Sequence, residues 1–346
     1  MSNSSTEELR LALLLAGGGA KSRRQAALVA EGGLSVDALQ EAGCPRALLV
    51  AVKEALGGPA QKMLERVNNA GWRWLIPEND EFPEALKQSA DPPLGLFLRG
   101  RLEKAPVAAI VGGRRATTYG QQAARLLGEA VAEAGGVVVS GMARGIDSAA
   151  HRGALGAHGK TWAVWASGPD KVYPPEHGPL AEEIVESGAL LTEYPPGTPP
   201  RKHHFLERNR LIAGLARVVV VVEAAARSGA LSTARQALDE GREVMAVPGS
   251  IFCEVAVGPH GLLRAGAAPV TKAGDVIEAL GLEERGRESE EEHPLCGVLG
   301  PEEALPVDEI AQRMGRPVEQ VLVYILELEL EGTVARSADG TYRRGR

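Results

Sequence analysis

The pattern of apolar and polar positions changes twice along the 346 residues. From Thr6 to about Glu65, apolar residues recur at helical spacing in LRLALLLAGG, RRQAALVAEGG, SVDALQEAG and ALLVAVKEALGG. Short helices punctuated by glycine predict a compact all-helical module over residues 1–68. Two strand-like runs follow, WRWLIP and LGLFLRG, around a Pro-rich turn. Between Lys104 and about Leu280 there are six short apolar runs: VAAIVGG, GVVVSG, KTWAVWASG, GALLTEY, RVVVVVEA and REVMAVPG. They alternate with helical stretches such as YGQQAARLLGEAVAEAGG and GALSTARQALDEG. Strands without polar alternation are covered on both faces, which predicts a doubly wound α/β domain with a mostly parallel sheet, residues 69–283. The charged stretch ERGRESEEEHP lacks an apolar anchor and predicts a linker at 284–293. Three helical segments and a hairpin turning at Asp339-Gly340 then predict a winged helix, residues 294–346.

Composition narrows the function. A net charge of −7 argues against indiscriminate coating of duplex DNA, so any nucleic-acid site must be a local basic patch. The three cysteines, Cys44, Cys253 and Cys296, are scattered and form no CxxC pair, which fits a reducing cytoplasm and no zinc site. The N-terminus MSNSSTEELR is unlike a signal peptide, and no apolar run is long enough to span a bilayer. A soluble cytoplasmic protein is expected.

The basic patch lies in RKHHFLERNR, where Arg201, Lys202, Arg208, Asn209 and Arg210 surround Phe205 in a chain with only 4% aromatic residues. Cations beside an exposed ring suit single-stranded nucleic acid: they neutralise phosphates while an unstacked base packs on the flat face. An amphipathic helix with a solvated charged face is the plainer alternative. RSGALSTARQALDEG opens a helix with small residues, where bare N–H groups and the macrodipole favour a phosphate. The other strand ends, including GGRRATTYG and SGMARGIDSAAH, are rich in Gly, Ser, Thr and Arg. Ligands of open α/β sheets bind there, so Arg114, Arg115, Arg144, Arg201 and Arg227 are expected to converge on one anionic site.

Competing chemistry is weak. No GxGxxG follows the first strand of the α/β domain, so NAD or FAD is not expected, and GGGAKS lacks the glycines of a Walker loop. No metal-ligand spacing exists, and His151 reads as a structural partner; no cofactor, metal or catalytic residue is expected. Asp147 is expected to cap the helix after Gly145, and Glu193 and Glu223 to orient rim arginines. PVEQVLVYILELELEG carries Glu319, Glu327, Glu329 and Glu331 with no Lys or Arg. Such a helix is repelled by a major groove, so the winged helix is expected to pack or to contact protein, with wing Arg336, Arg343 and Arg344 able to touch phosphate.

VGGRRATTYG, SGMARGIDSAAHRGAL, DPPLGLFLRG and the run from FLERNR to AVPG resemble the DNA-processing protein A family (DprA, also called Smf), in the family's order over about residues 80–280. The resemblance implies a Rossmann-like domain, preceded by a SAM or helix-hairpin-helix-like module and followed by a winged helix. It implies a non-catalytic, homodimeric protein that binds and protects single-stranded DNA and helps load the RecA recombinase during natural transformation, in competence and homologous recombination. The family's pocket maps onto Arg114 or Arg115, Gly141 to Gly145 with Arg144, and Lys202 with Phe205. Gly113 departs from the Ser more usual there. Adjacent Leu262 and Leu263, in a Gly-broken segment, cannot both face one core, and one is expected to bury against a twin. The alternative function is a nucleotide phosphoribohydrolase-like enzyme, because SGALSTARQALDE distantly resembles the PGGxGTxxE loop; Asp239 and Glu240 lie too late to match its glutamate.

Overall fold

In the computed structural model the described residues are 5–16, 34–283, 295, 298–299, 304–330, 333–337 and 340–344. The linker expected at 284–293, the helix expected in RRQAALVAEGG, and Asp339 fall outside them. The chain divides into two compact units, residues 1–284 and 285–346.

Each of the six apolar runs forms a strand: β3 (Val107–Val111), β4 (Val137–Ser140), β5 (Lys160–Val164), β6 (Ala189–Thr192), β7 (Val218–Val221) and β8 (Glu243–Ala246). With β1 (Arg73–Leu75), β2 (Leu96–Gly100) and β9 (Ala268–Pro269) they make a nine-stranded sheet, ordered β1-β2-β6-β5-β4-β3-β7-β8-β9. Strands β3 to β9 pair in parallel, whereas β1 and β2 add antiparallel at the β6 edge. The parallel part starts at β3 in the middle, winds outward to β6, then returns to β7 on the other side of β3.

The period-two rule for strands decides both cores. Val107, Ala109 and Val111 face one side, with Leu211 and Ile212 of the β6–β7 helix and Ala234 and Ala237 of the β7–β8 helix. Ala108 and Ile110 face the other, with Leu127 and Val131 of α6 (Thr118–Glu133), Ala150 and Ala154 of α7 (Ile146–Gly156), and Ile277. Burying each large aliphatic side chain contributes roughly 1.5–3 kcal/mol. α6 and α7 approach closely because Gly128 has no side chain: a Cβ there would sit 2.3 Å from the Ala150 carbonyl oxygen.

The N-terminal helices α1 (Thr6–Leu15), α2 (Val36–Glu41), α3 (Arg46–Leu56) and α4 (Pro59–Asn69) share a core with the sheet; α5 (Glu84–Lys87), α8 (Gly178–Ser187) and α12 (Ala273–Leu280) are further helices of this unit. Leu11, Leu13, Leu39 and Val52 belong to one buried cluster with Trp72, Trp74, Phe97 and Trp165. A capping box at Ser5 and Glu8 starts α1.

In the second unit α13 (Val307–Met314) and α14 (Val318–Leu330) pack on the hairpin β10 (Val334–Arg336) and β11 (Tyr342–Arg344). Leu305 bridges to Tyr342, extending the hairpin.

Candidate nucleic-acid interface

Because β3 leads towards β4 and β7 towards β8, the connections after their carboxyl ends diverge and leave a crevice between them, the usual ligand position in such sheets. A cavity of about 550 Å³ opens there, lined by Gly112 and Arg114 after β3, Ala143 and Asp147 after β4, and Ser228 to Ala230 after β7. Gly145, at φ +80, lets two loops meet: a Cβ would lie 2.4 Å from the Gly113 carbonyl oxygen.

RKHHFLERNR begins the helix α9 (Lys202–Leu215). Counting from Lys202, the i+3, i+4 and i+7 positions are Phe205, Leu206 and Asn209, and all four line the cavity. Tyr194 holds the first turn, stacking on His204 with centroids 4.3 Å apart and donating to a Glu207 carboxylate oxygen. Phe205 is half-buried, not fully exposed as the sequence suggests. The Arg114 guanidinium lies 4.5 Å from its centroid, and the Tyr173 ring tilts against it at 5.4 Å. Tyr173 also lines the cavity and was missed in the sequence, since its loop carries no periodic signal. The far wall is the start of α10 (Gly229–Asp239), capped by Ser228. Its dipole favours an anion.

Arg208 departs from expectation. It is buried, with its guanidinium donating to the carbonyls of Gly141 (3.0 Å) and Val164, and Asp147 is buried beside it. Asp147 does not cap α7 from outside; it sits in the first turn and accepts from the N–H groups of Gly141 and Ala143. Burial pushes the Asp147 carboxyl up, opposed by Arg208 and by those N–H groups. Burial likewise lowers Arg208 to about 10, with Asp147 opposing, so at neutrality it remains a cation. Arg208, Asp147 and Gly141 therefore form an internal brace, and the Gly141 N–H is already committed. Asn209, also buried, donates to the Gly229 carbonyl at 3.2 Å and ties α9 to α10.

The rim arginines separate into two groups. Arg114, Arg115, Arg201 and Arg227 are exposed, as is Lys202, and among the described residues none of these has an ion pair. Only Arg114 and Lys202 of these five line the cavity. Arg144 is exposed but paired with Glu176 at 2.5 Å. Arg210 turns away from Phe205 and pairs with Glu193 and Asp91, so Glu193 does orient an arginine, but a largely buried one. Among the described residues Glu223 pairs with no arginine; its carboxylate accepts from the Thr117 N–H and hydroxyl. Asp239 and Glu240 do not line the cavity, and Glu240 is engaged with Ser89. Leu262 and Leu263 fall on α11 (Val257–Arg264), where Leu262 packs on the core and Leu263 stays partly exposed.

His151 is structural. Thr161 Oγ1 donates to the Val138 carbonyl and so accepts from His151 Nδ1 at 2.7 Å. Burial lowers the imidazole pKa from 6.5 to about 3. Folded His151 thus stays neutral while an unfolded one takes up a proton below about pH 6.5. Stability contributed by the neutral ring is present above that pH and lost as pH falls towards 3. Between pH 7 and pH 5 the loss should be about 2 kcal/mol. Urea denaturation should show that loss in the wild type beyond whatever His151→Gln loses; equal losses would contradict it.

No helix among the described residues is long and apolar enough to cross a membrane, and none of their His, Cys, Asp or Glu residues group as a metal site.

Comparison with known proteins agrees with the fold. The family model for DNA recombination-mediator protein A matches residues 73–281, and that for the DprA winged helix domain matches residues 271–340. Protein Smf of Escherichia coli is 40% identical over 288 residues, covering 78% of this chain and 77% of Smf. The X-ray structure of DNA processing protein A from Streptococcus pneumoniae superposes with a TM-score of 0.72 at 33% identity, over 80% of this chain and 98% of that one. DNA processing protein A from Helicobacter pylori, whose structure describes a single-stranded DNA binding mode, gives a TM-score of 0.54 at 31% identity, over 60% and 95% of the two chains.

Proposed function

The chain belongs to the DNA recombination-mediator protein A family, and on that premise we propose that it binds single-stranded DNA in the crevice between β3 and β7 without catalysing a reaction on it. One observation carries this reading: a half-exposed aromatic ring, Phe205, shares a cavity with Arg114 and Lys202 at the switch point of the sheet. A base packs on the ring, while Lys202, Arg115 and the N-terminus of α10 take successive phosphates. In the cell such binding protects incoming DNA in the cytoplasm and assists RecA loading during transformation. The same reading includes a homodimer, formed through the segment that carries Leu263 together with the exposed Ile251 and Phe252. Two copies place two cavities on one strand and raise avidity.

Anisotropy with labelled oligo-dT over a salt series tests the site. Each phosphate contact contributes about −0.7 to the log–log salt slope for a single strand. Lys202→Ala and Arg115→Ala should each weaken binding to every sequence and flatten the slope by about that amount. Unchanged slopes in both would place the strand elsewhere. A nucleoside-monophosphate hydrolysis assay on the same protein separates the phosphoribohydrolase alternative, since turnover would sink the binding-only reading.

A further inference from the structure

The crevice leaves one feature of the second unit unexplained. Helix α14 buries Val321, Ile325 and Leu328 against Leu299, Ile310 and Tyr342, which accounts for its inner face. Its outer face is also apolar: Leu322, Val323 and Leu326 are 44%, 54% and 58% exposed. With exposed Glu319 they occupy positions i, i+3, i+4 and i+7, a single stripe along the helix. A solvated helix face normally carries polar residues, and a contiguous apolar stripe marks a contact surface.

Charge selects what can cover it. From Val318 to Leu330 the helix has acidic residues and no Lys or Arg. The adjacent cation, Arg316, is engaged with Tyr324, donating to its hydroxyl at 2.7 Å. Duplex DNA would meet glutamates where phosphates must sit, and a second copy of the same stripe would bring like charges together. We propose that this face of α14 docks an amphipathic helix of a protein partner, one whose apolar stripe is flanked by lysine or arginine. Leucine-type side chains would pack on Leu322, Val323 and Leu326, and the flanking cations would meet Glu319 and Glu329. The acidic helix thus serves protein recruitment, separately from the DNA crevice.

The test uses the full chain and a labelled synthetic helical peptide with leucines at i, i+3, i+4 and i+7 and lysines beside them. A second peptide carries glutamates in place of the lysines. The lysine peptide should bind, and more weakly at higher salt. Leu326→Asp should weaken it by about tenfold or more, as expected for a central apolar anchor. Glu319→Lys should weaken it by a smaller factor. Oligo-dT binding by both variants should match wild type, and thermal melts should keep the wild-type transition of the second unit, which shows that both units fold. Equal binding of the two peptides, or equal binding by Leu326→Asp and wild type, would overturn the proposal. So would self-association of the wild type that Leu326→Asp abolishes, because the occupant would then be a second copy.

Discussion

Arg208→Ala is expected to lower the unfolding free energy by about 3–5 kcal/mol, because it strips two buried carbonyls of their donor and removes the cation that favours the charged form of buried Asp147. The two carbonyls are those of Gly141 and Val164, which the variant leaves unpaired. Removing both charges together should recover part of the loss, because no carboxylate is left stranded, although the Gly141 and Val164 carbonyls stay unpaired. Thermal and urea melts of Arg208→Ala, Asp147→Leu and Arg208→Met with Asp147→Leu give the comparison. The double variant should be more stable than Arg208→Ala. The competing reading, in which Arg208 neutralises a phosphate, makes the opposite forecast: Arg208→Ala would melt like wild type and lose DNA affinity with a flatter salt slope.

That contrast marks where the sequence stops being informative. RKHHFLERNR reveals a local excess of cations beside a ring, and five of its members, Lys202, Phe205, Leu206, Arg208 and Asn209, line the cavity. Sequence shows the charge but not the partners that neutralise it. Those of Arg208 lie 67 and 44 residues away, at Gly141 and Val164. Those of Arg210 are Glu193 and Asp91, on segments that meet α9 only in the fold. The six parallel strands were legible because continuous runs such as Val218–Val221 have few other uses. Strand β9 was not, because Ala268–Pro269 is two residues long and holds a proline. The all-helical reading before residue 69 holds for the described helices. Its shared core with Trp72, Trp74 and Phe97 depends on contacts that no local pattern announces.

Phe205→Ala should cost about 1–3 kcal/mol of single-strand binding, roughly 5- to 150-fold in Kd, with the salt slope unchanged. The ring is half-buried and lies under Arg114, so a stacked base must take the place of that cation. The exchange is favourable: an exposed cation–π contact is worth about 0.5–1 kcal/mol, less than a stacked base. Arg114, once released, can follow a phosphate. Thermal melting serves as the control. A loss of about 3–5 kcal/mol in folding stability would identify Phe205 as a core residue instead and remove its stacking role.

The central claim is that the crevice at the carboxyl ends of β3 and β7 holds the strand, and a crystal structure with a short oligo-dT tests it most directly. A thymine should lie parallel to the Phe205 ring, with Arg114 displaced from it and phosphates at Lys202, Arg115 and the first turn of α10. A strand bound on another surface, with Arg114 still over Phe205 and the cavity empty, would contradict the account.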